Sequence, residues 1–330
     1  MNNYTYIADE QLWDPEKWES LELNYKNKIS NAVSEDKAYN FGKELGKKIL
    51  KNYSNSFFTV TRFLPKYKRD LVEIVYAAVR YPDEIVDTFN FSDKQKENLL
   101  NAWEDKFKLS SDYSNLIESV NNKIPVILSC FRKLSVEKSI PDKYYFSFLE
   151  AMKKDIGKKF YKNMDDLINN YIYGSAIVVG YFLAYIYGGT KSYSVKDLLQ
   201  PSKELGIALQ LTNFARDVYE DYFRGRFYTP INLLDLPKND KELEGYVINA
   251  RKILAVEAEN WYLKAEKGME FFAKDSQIAI KSCLNLYRKL NEKIIYEKMP
   301  VNHRYSLSLK EKFSFIPLSK IWKLFVIYLK

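Results

Sequence analysis

The segment from Val75 to Phe91, VYAAVRYPDEIVDTFNF, spaces Tyr76, Arg80, Asp83 and Asp87 by four, three and four residues. At roughly 100° per residue these four side chains share an arc of about 60° on a helix, with Glu84 just beside it. A second segment, ELGIALQLTNFARDVYEDYFRGRFYTP, spaces Asn213, Asp217 and Asp221 four residues apart. Gln210 and Gly206 share their face, within an arc of about 80°. Both helices are otherwise apolar, with Ile74, Val75, Ala77, Ala78, Ile85 and Val86 on the first and Leu209, Leu211, Phe214, Ala215 and Val218 on the second. One acidic stripe is ordinarily a solvated face. Two, each carried by an apolar helix, call for cations, because unpaired buried carboxylates are costly. Mg²⁺ suits them best: it takes hard oxygen ligands, usually one or two carboxylates, while substrate phosphates supply the rest. Asp83, Asp87, Asn213, Asp217 and Asp221 would hold two or three such ions on a diphosphate. Arg80, Arg216, Arg224 and Arg226 would neutralise the remaining phosphate charge.

The elements that must position these residues read as helices throughout. Apolar residues recur at three- and four-residue intervals in DKAYNFGKELGKKILKNYS, in LPKYKRDLVEIVYAAVRYPDEIVDTF and in the runs that follow it to IIYEK. Strand alternation, internal repeats and long linkers are not found. Residues 1–35 are expected as a polar, irregular arm and residues 36–330 as a single all-α domain of about ten or more helices. The apolar run AIVVGYFLAYIYGG is shorter than a membrane span and is expected as a buried core helix. Pro82 conflicts with its helix. It removes a hydrogen bond and crowds the carbonyl of Ala78, so a kink or an interruption is expected beside the acids.

Composition narrows the function. Of 330 residues, 51 are Lys or Arg and 43 Asp or Glu, giving a net charge of +8, with lysines scattered rather than blocked. No nucleic-acid-binding signature appears, so small anions or an anionic membrane surface suit the charge better than nucleic acid. Cys130 and Cys283 match no metal spacing and are expected as reduced thiols in a cytosolic protein. With one histidine, His303, and no G-x-S-x-G elbow, a serine-hydrolase triad has no support. The terminal stretch SFIPLSKIWKLFVIYLK, with Lys320, Lys323 and Lys330, is expected to pack on the domain; lying at a membrane surface, peripherally, is the alternative.

RYPDEIVD paired with LQLTNFARDVYEDYFRGRFYTP resembles the squalene and phytoene synthase family of head-to-head prenyl transferases. The second segment is similar to that family's N-x-x-x-D-x-x-x-D motif with its flanking L-Q-L-T-N and R-G-R-x-Y-x-P. YSNSFF resembles its phosphate-binding S-x-S-F start. NYIYGSAIVVGYFLAYIYG and AIKSCLNLYRKLNEKI resemble two further segments, so the likeness covers roughly residues 50 to 325. It departs at Pro82 and Glu84, since the family usually reads D-D-x-x-D there.

The resemblance implies an isoprenoid-synthase fold with a central cavity between two acidic motifs. By position it makes Asp83 and Asp87 the first metal pair and Asn213, Asp217 and Asp221 the second cluster, with Tyr76 beside them. Ser54, Ser56, Arg80, Gln210, Arg216, Arg226, Tyr287 and Arg304 become diphosphate-binding or pocket residues. The implied reaction joins two allylic prenyl diphosphates through a cyclopropyl diphosphate, with loss of diphosphate. RGRFYTP looks more like the phytoene-synthase branch, which implies two C20 units and no NADPH. The alternatives are a C15-using squalene or dehydrosqualene synthase, a terpene cyclase on the same metal site, and a non-catalytic relative.

Overall fold

The computed structural model describes residues 13–157 and 159–314. Its helices, in chain order, begin with α1 (Pro15–Ser30), α2 (Glu35–Tyr53), α3 (Asn55–Thr61), α4 (Lys66–Asp87) and α5 (Asp93–Leu109). There follow α6 (Leu116–Asn121), α7 (Val126–Lys138), α8 (Asp142–Lys154) and α9 (Met164–Leu167). A π-helical stretch, Ile168–Ile177, runs straight on into α10 (Val178–Tyr187). The last are α11 (Val195–Phe223), α12 (Asp240–Glu266), α13 (Lys274–Tyr296) and α14 (Leu309–Ser314). The only strands among the described residues are two-residue pieces, Lys159–Phe160 and Arg226–Phe227, paired in parallel. The fold is therefore all-α, as its periodicity requires.

Local chemistry sets many helix starts. Side chains of Asp14, Ser34, Asn115, Asn163 and Asn239 accept from first-turn N–H groups, and Ser92 and Gln95 form a reciprocal capping box. Pro65, Pro125 and Pro141 stand at the starts of α4, α7 and α8, where a missing N–H costs nothing. α4 packs against α2, α8 and α10, and α11 lies between α10, α12 and α13. Gly206 of α11 permits a close approach to the π-helical stretch, since a Cβ there would meet the Ala176 carbonyl at 3.2 Å. The segment Met164–Tyr187 is long and apolar enough to cross a membrane, but half of it is buried within the bundle, with Leu167, Ile172, Ile177, Val178, Phe182 and Ala184 fully enclosed.

Two expectations need correction. Residues 15–30 are not irregular: they form α1, which buries Trp18, Leu21, Tyr25 and Ile29 on the domain. These anchors recur at helical spacing, but the many charges between them weaken the apolar pattern. More consequential, of the kink and the interruption expected at Pro82 the structure excludes the interruption: α4 continues to Asp87. The expectation for the terminal stretch falls, from residue 315 on, outside the described residues.

Candidate active site

The two acidic stripes lie on α4 and α11 and meet at one end of a cavity of about 500 Å³. Ser54, Tyr76, Arg80, Asp83, Gln210, Asn213, Arg216, Tyr287 and Arg304 line it. Asp87, Asp217, Asp221, Arg226 and Ser56 do not line it, though Asp217 pairs with the wall residues Arg216 and Arg304. The rest of the wall is apolar or aromatic, including Phe57, Val79, Leu183, Leu205, Leu209 and Phe272. Ser54 occupies the junction of two helices: it ends α2 and its hydroxyl accepts from Phe57 N at 3.3 Å to start α3.

Each exposed end of this acid cluster is matched by guanidinium groups. Arg80 donates to Asp83 at 2.8 Å and is also paired with fully buried Glu84. Arg226 donates to Asp87 at 2.6 Å, joining the R-G-R segment to α4, and Arg224 lies 3.9 Å from the same carboxylate. Arg216 donates to Asp217 at 2.7 and 2.5 Å, and Arg304 donates to it at 2.9 Å. Arg80 is held in place by stacking on the Tyr53 ring at 4.5 Å. Tyr53 in turn accepts from Trp18 Nε1 at 2.8 Å and Trp13 N at 3.1 Å, so the N-terminal helix braces the site through two intermediaries.

The protonation behaviour of the acids separates them. Burial pushes Asp83 up to about 6, and neighbouring Asp87 adds to this against the pull of Arg80. Asp221 is raised well above the usual carboxylate range by burial and by Asp217 and Asp87. Arg226, just after α11, donates to Asp87 and so ties the ends of the two stripes together. Burial would raise Asp217 too, but Arg216 and Arg304 bring it down to about 2. Glu84 is pushed up to about 7 by burial and turns away from the cavity.

The donor set fits a hard divalent cation, since every candidate ligand offers a carboxylate or amide oxygen. Among the described residues no three carboxylates converge closely enough to hold an ion by themselves. Further ligands would have to come from the phosphates of a substrate.

A model of the squalene/phytoene synthase family matches residues 50–311, which includes both acidic stripes and the residues that line the cavity between them. The chain belongs to the squalene/phytoene synthase family. Among its relatives, a 15-cis-phytoene synthase of Pantoea ananas is 28% identical over 73% of this chain and 78% of its own length. A phytoene synthase of Arthrospira platensis is 28% identical over 84% of this chain and 92% of its own. The fold is shared with a ligand-bound dehydrosqualene synthase, at a TM-score of 0.66, 24% identity and coverage of 89% of this chain and all (100%) of that one. It is shared also with a squalene synthase of Alicyclobacillus acidocaldarius, at a TM-score of 0.62, 19% identity and coverage of 81% and 95%. The isoprenoid-synthase architecture is thus that of the family, and its chemistry is head-to-head prenyl transfer.

Beside the family's acidic stripes the structure shows a group that spacing did not reveal. Asp155 is buried behind the cavity and accepts from Tyr171 and, at 3.0 Å, from Tyr228. Tyr228 stacks on Phe214 with ring centroids 3.9 Å apart, and Tyr171 is part of the cavity wall. Burial pushes Asp155 up to about 7 despite the nearby Arg226. Tyr228 belongs to RGRFYTP and Tyr171 to NYIYGS, but Asp155 sits in a lysine-rich turn with no motif around it. Only the return of the chain brings the three together.

Proposed function

We propose that the chain condenses two geranylgeranyl diphosphates head to head to phytoene, by way of a cyclopropyl diphosphate, without a nicotinamide cofactor. The observation that carries this reading is the pair of acidic stripes at one end of a long apolar slot. Along α11 the slot is lined from Ser202 to Arg216. Fourteen helical steps at 1.5 Å each make it about 21 Å long. That length and the phytoene synthases among its relatives favour C20 chains over C15.

Asp83, Asp87, Asn213, Asp217 and Asp221 would hold two or three Mg²⁺ ions. Bound Mg²⁺ would supply electrophilic stabilisation of the departing diphosphate. Arg216, Arg304 and Arg80 lie within reach of the same anion and would share its charge, so that the allylic C–O bond ionises. The aromatic wall, Phe57, Tyr76 and Tyr171 among it, excludes water and presents π faces to the allylic cation. The double bond of the second substrate then attacks that cation. Loss of a first proton closes the cyclopropyl diphosphate, the second diphosphate then departs, and after rearrangement loss of a second proton gives phytoene. The Asp155 carboxylate would take a proton through the Tyr171 hydroxyl, which already donates to it.

Product analysis with C15 and C20 diphosphates, each with and without NADPH, tests the reading. A C40 hydrocarbon that does not depend on NADPH supports it. Product from the C15 substrate alone moves the assignment to a squalene or dehydrosqualene synthase.

A further inference from the structure

A second cavity, of about 400 Å³, lies away from the first, between the N-terminal halves of α2 and α4. The two helices touch at Gly46, where a Cβ would meet the Glu73 backbone at 2.9 Å, and the cavity is lined from there toward both N-termini. One face of α2 contributes Lys37, Asn40, Lys43 and Lys47, and one face of α4 contributes Lys66 and Arg69. Three carboxylates share the wall, but two are committed: Glu73 is paired with buried Arg62 and Asp70 with Lys66. That leaves Glu44 against Lys37, Lys43, Lys47 and Arg69. Arg69 Nε is buried and has no hydrogen-bond partner among the described residues. A guanidinium N–H left so in a concave, cation-rich wall is a donor lacking its acceptor. The positive ends of both helix dipoles point to the same end and add to the field.

We propose that this cavity binds a compact phosphate-bearing anion, either free diphosphate or the phosphate of a lipid headgroup. The convergence of three lysines and the Arg69 fork suits several phosphate oxygens at once. The inference does not rest on the prenyl-transfer reading, because none of these residues touches the acidic stripes.

The test uses the full chain with Arg216→Gln and Arg304→Gln, to remove active-site binding, in EDTA. Inorganic diphosphate is titrated calorimetrically, and flotation is measured with phosphatidylcholine vesicles with and without phosphatidylglycerol. Adding Lys43→Gln, Lys47→Gln and Arg69→Gln should weaken at least one probe by about tenfold or more. Loss of diphosphate binding identifies a soluble ligand, and loss of phosphatidylglycerol-dependent flotation alone identifies a headgroup. The same three substitutions in the otherwise native chain should leave turnover of a dispersed substrate unchanged. The exposed Lys47→Glu reversal, carried in parallel, guards against misfolding of the triple variant. Equal binding of both probes with and without these substitutions would overturn the site.

Discussion

The Tyr145 hydroxyl of α8 donates to the carbonyl of Ala78 at 2.8 Å, the acceptor that Pro82 leaves without its helical N–H. Trp103 Nε1 donates to the same tyrosine oxygen at 2.9 Å, and Tyr145 is fully buried. A side chain from a neighbouring helix thus supplies the hydrogen bond that the proline removes, and α4 carries Asp83 and Asp87 past it without a break.

Tyr145→Phe should therefore cost about 2–4 kcal/mol, since it strands both the Ala78 carbonyl and the Trp103 N–H in the core. Pro82→Ala alone should stay within about 1 kcal/mol of the native chain. The restored N–H finds its acceptor already occupied, and the proline's restriction of the unfolded chain is lost. In the Tyr145→Phe background Pro82→Ala should recover part of the loss. A denaturant double-mutant cycle measures this coupling, and additive effects would show that the two residues do not share the carbonyl.

The aspartates of α11 should separate. Asp217→Asn and Asp221→Asn should each lower turnover at least about a hundredfold, as expected when leaving-group stabilisation is lost. Their stabilities should move in opposite directions in EDTA near neutral pH. Asp217, held at about 2 by Arg216 and Arg304, contributes on the order of 2 kcal/mol that asparagine forfeits. Asp221, raised by burial and by its acidic neighbours, should lose nothing or gain on neutralisation. Thermal melts of both variants decide this, and equal destabilisation of the two would contradict it.

Asp155 predicts a pH dependence. Its folded value, about 7, lies above the unfolded carboxylate value, so the folded state binds the extra proton between them. Stability from this group is then present below about pH 4 and lost as pH rises toward 7, the reverse of a salt-bridged acid. Asp155→Asn should flatten the fall in unfolding free energy between pH 5 and 7. An unchanged slope would place the carboxyl in an ordinary environment.

The slot should measure the substrate. Leu183 lies three helical turns from Tyr171 along the cavity wall and is only partly buried. Leu183→Trp should fill the far part of the slot and reduce turnover of the C20 diphosphate by about tenfold or more, with a smaller effect on C15. Competition between the two substrates reads the ratio directly, and a ratio that does not move would put the chain end elsewhere.

Much of this was legible in the sequence, and the reason is periodicity. Asp83 and Asp87, like Asn213, Asp217 and Asp221, repeat at the interval of a helix face, so each stripe is visible one helix at a time. Arg80 and Arg216 lie on those same helices and were legible with them. What the sequence did not show depends on contacts across the fold. Tyr145 corrects for Pro82 from 63 positions away, and no local pattern joins them. Trp18 reaches Arg80 only through Tyr53. Asp155 takes its partners from the π-helical stretch and from the strand-like return after α11. The π-helical geometry at Ile168–Ile177 likewise escapes a reading built on a periodicity of 3.6.

The central claim is that two facing acidic stripes, filled with divalent metal, drive ionisation of a prenyl diphosphate. Its most direct measurement is diphosphate release by the purified chain with geranylgeranyl diphosphate and Mg²⁺, read together with the hydrocarbon formed. Diphosphate and a C40 product without any nicotinamide, both abolished by EDTA, are the predicted result. If neither C20 nor C15 diphosphate releases diphosphate with any divalent metal, the site does not carry this chemistry.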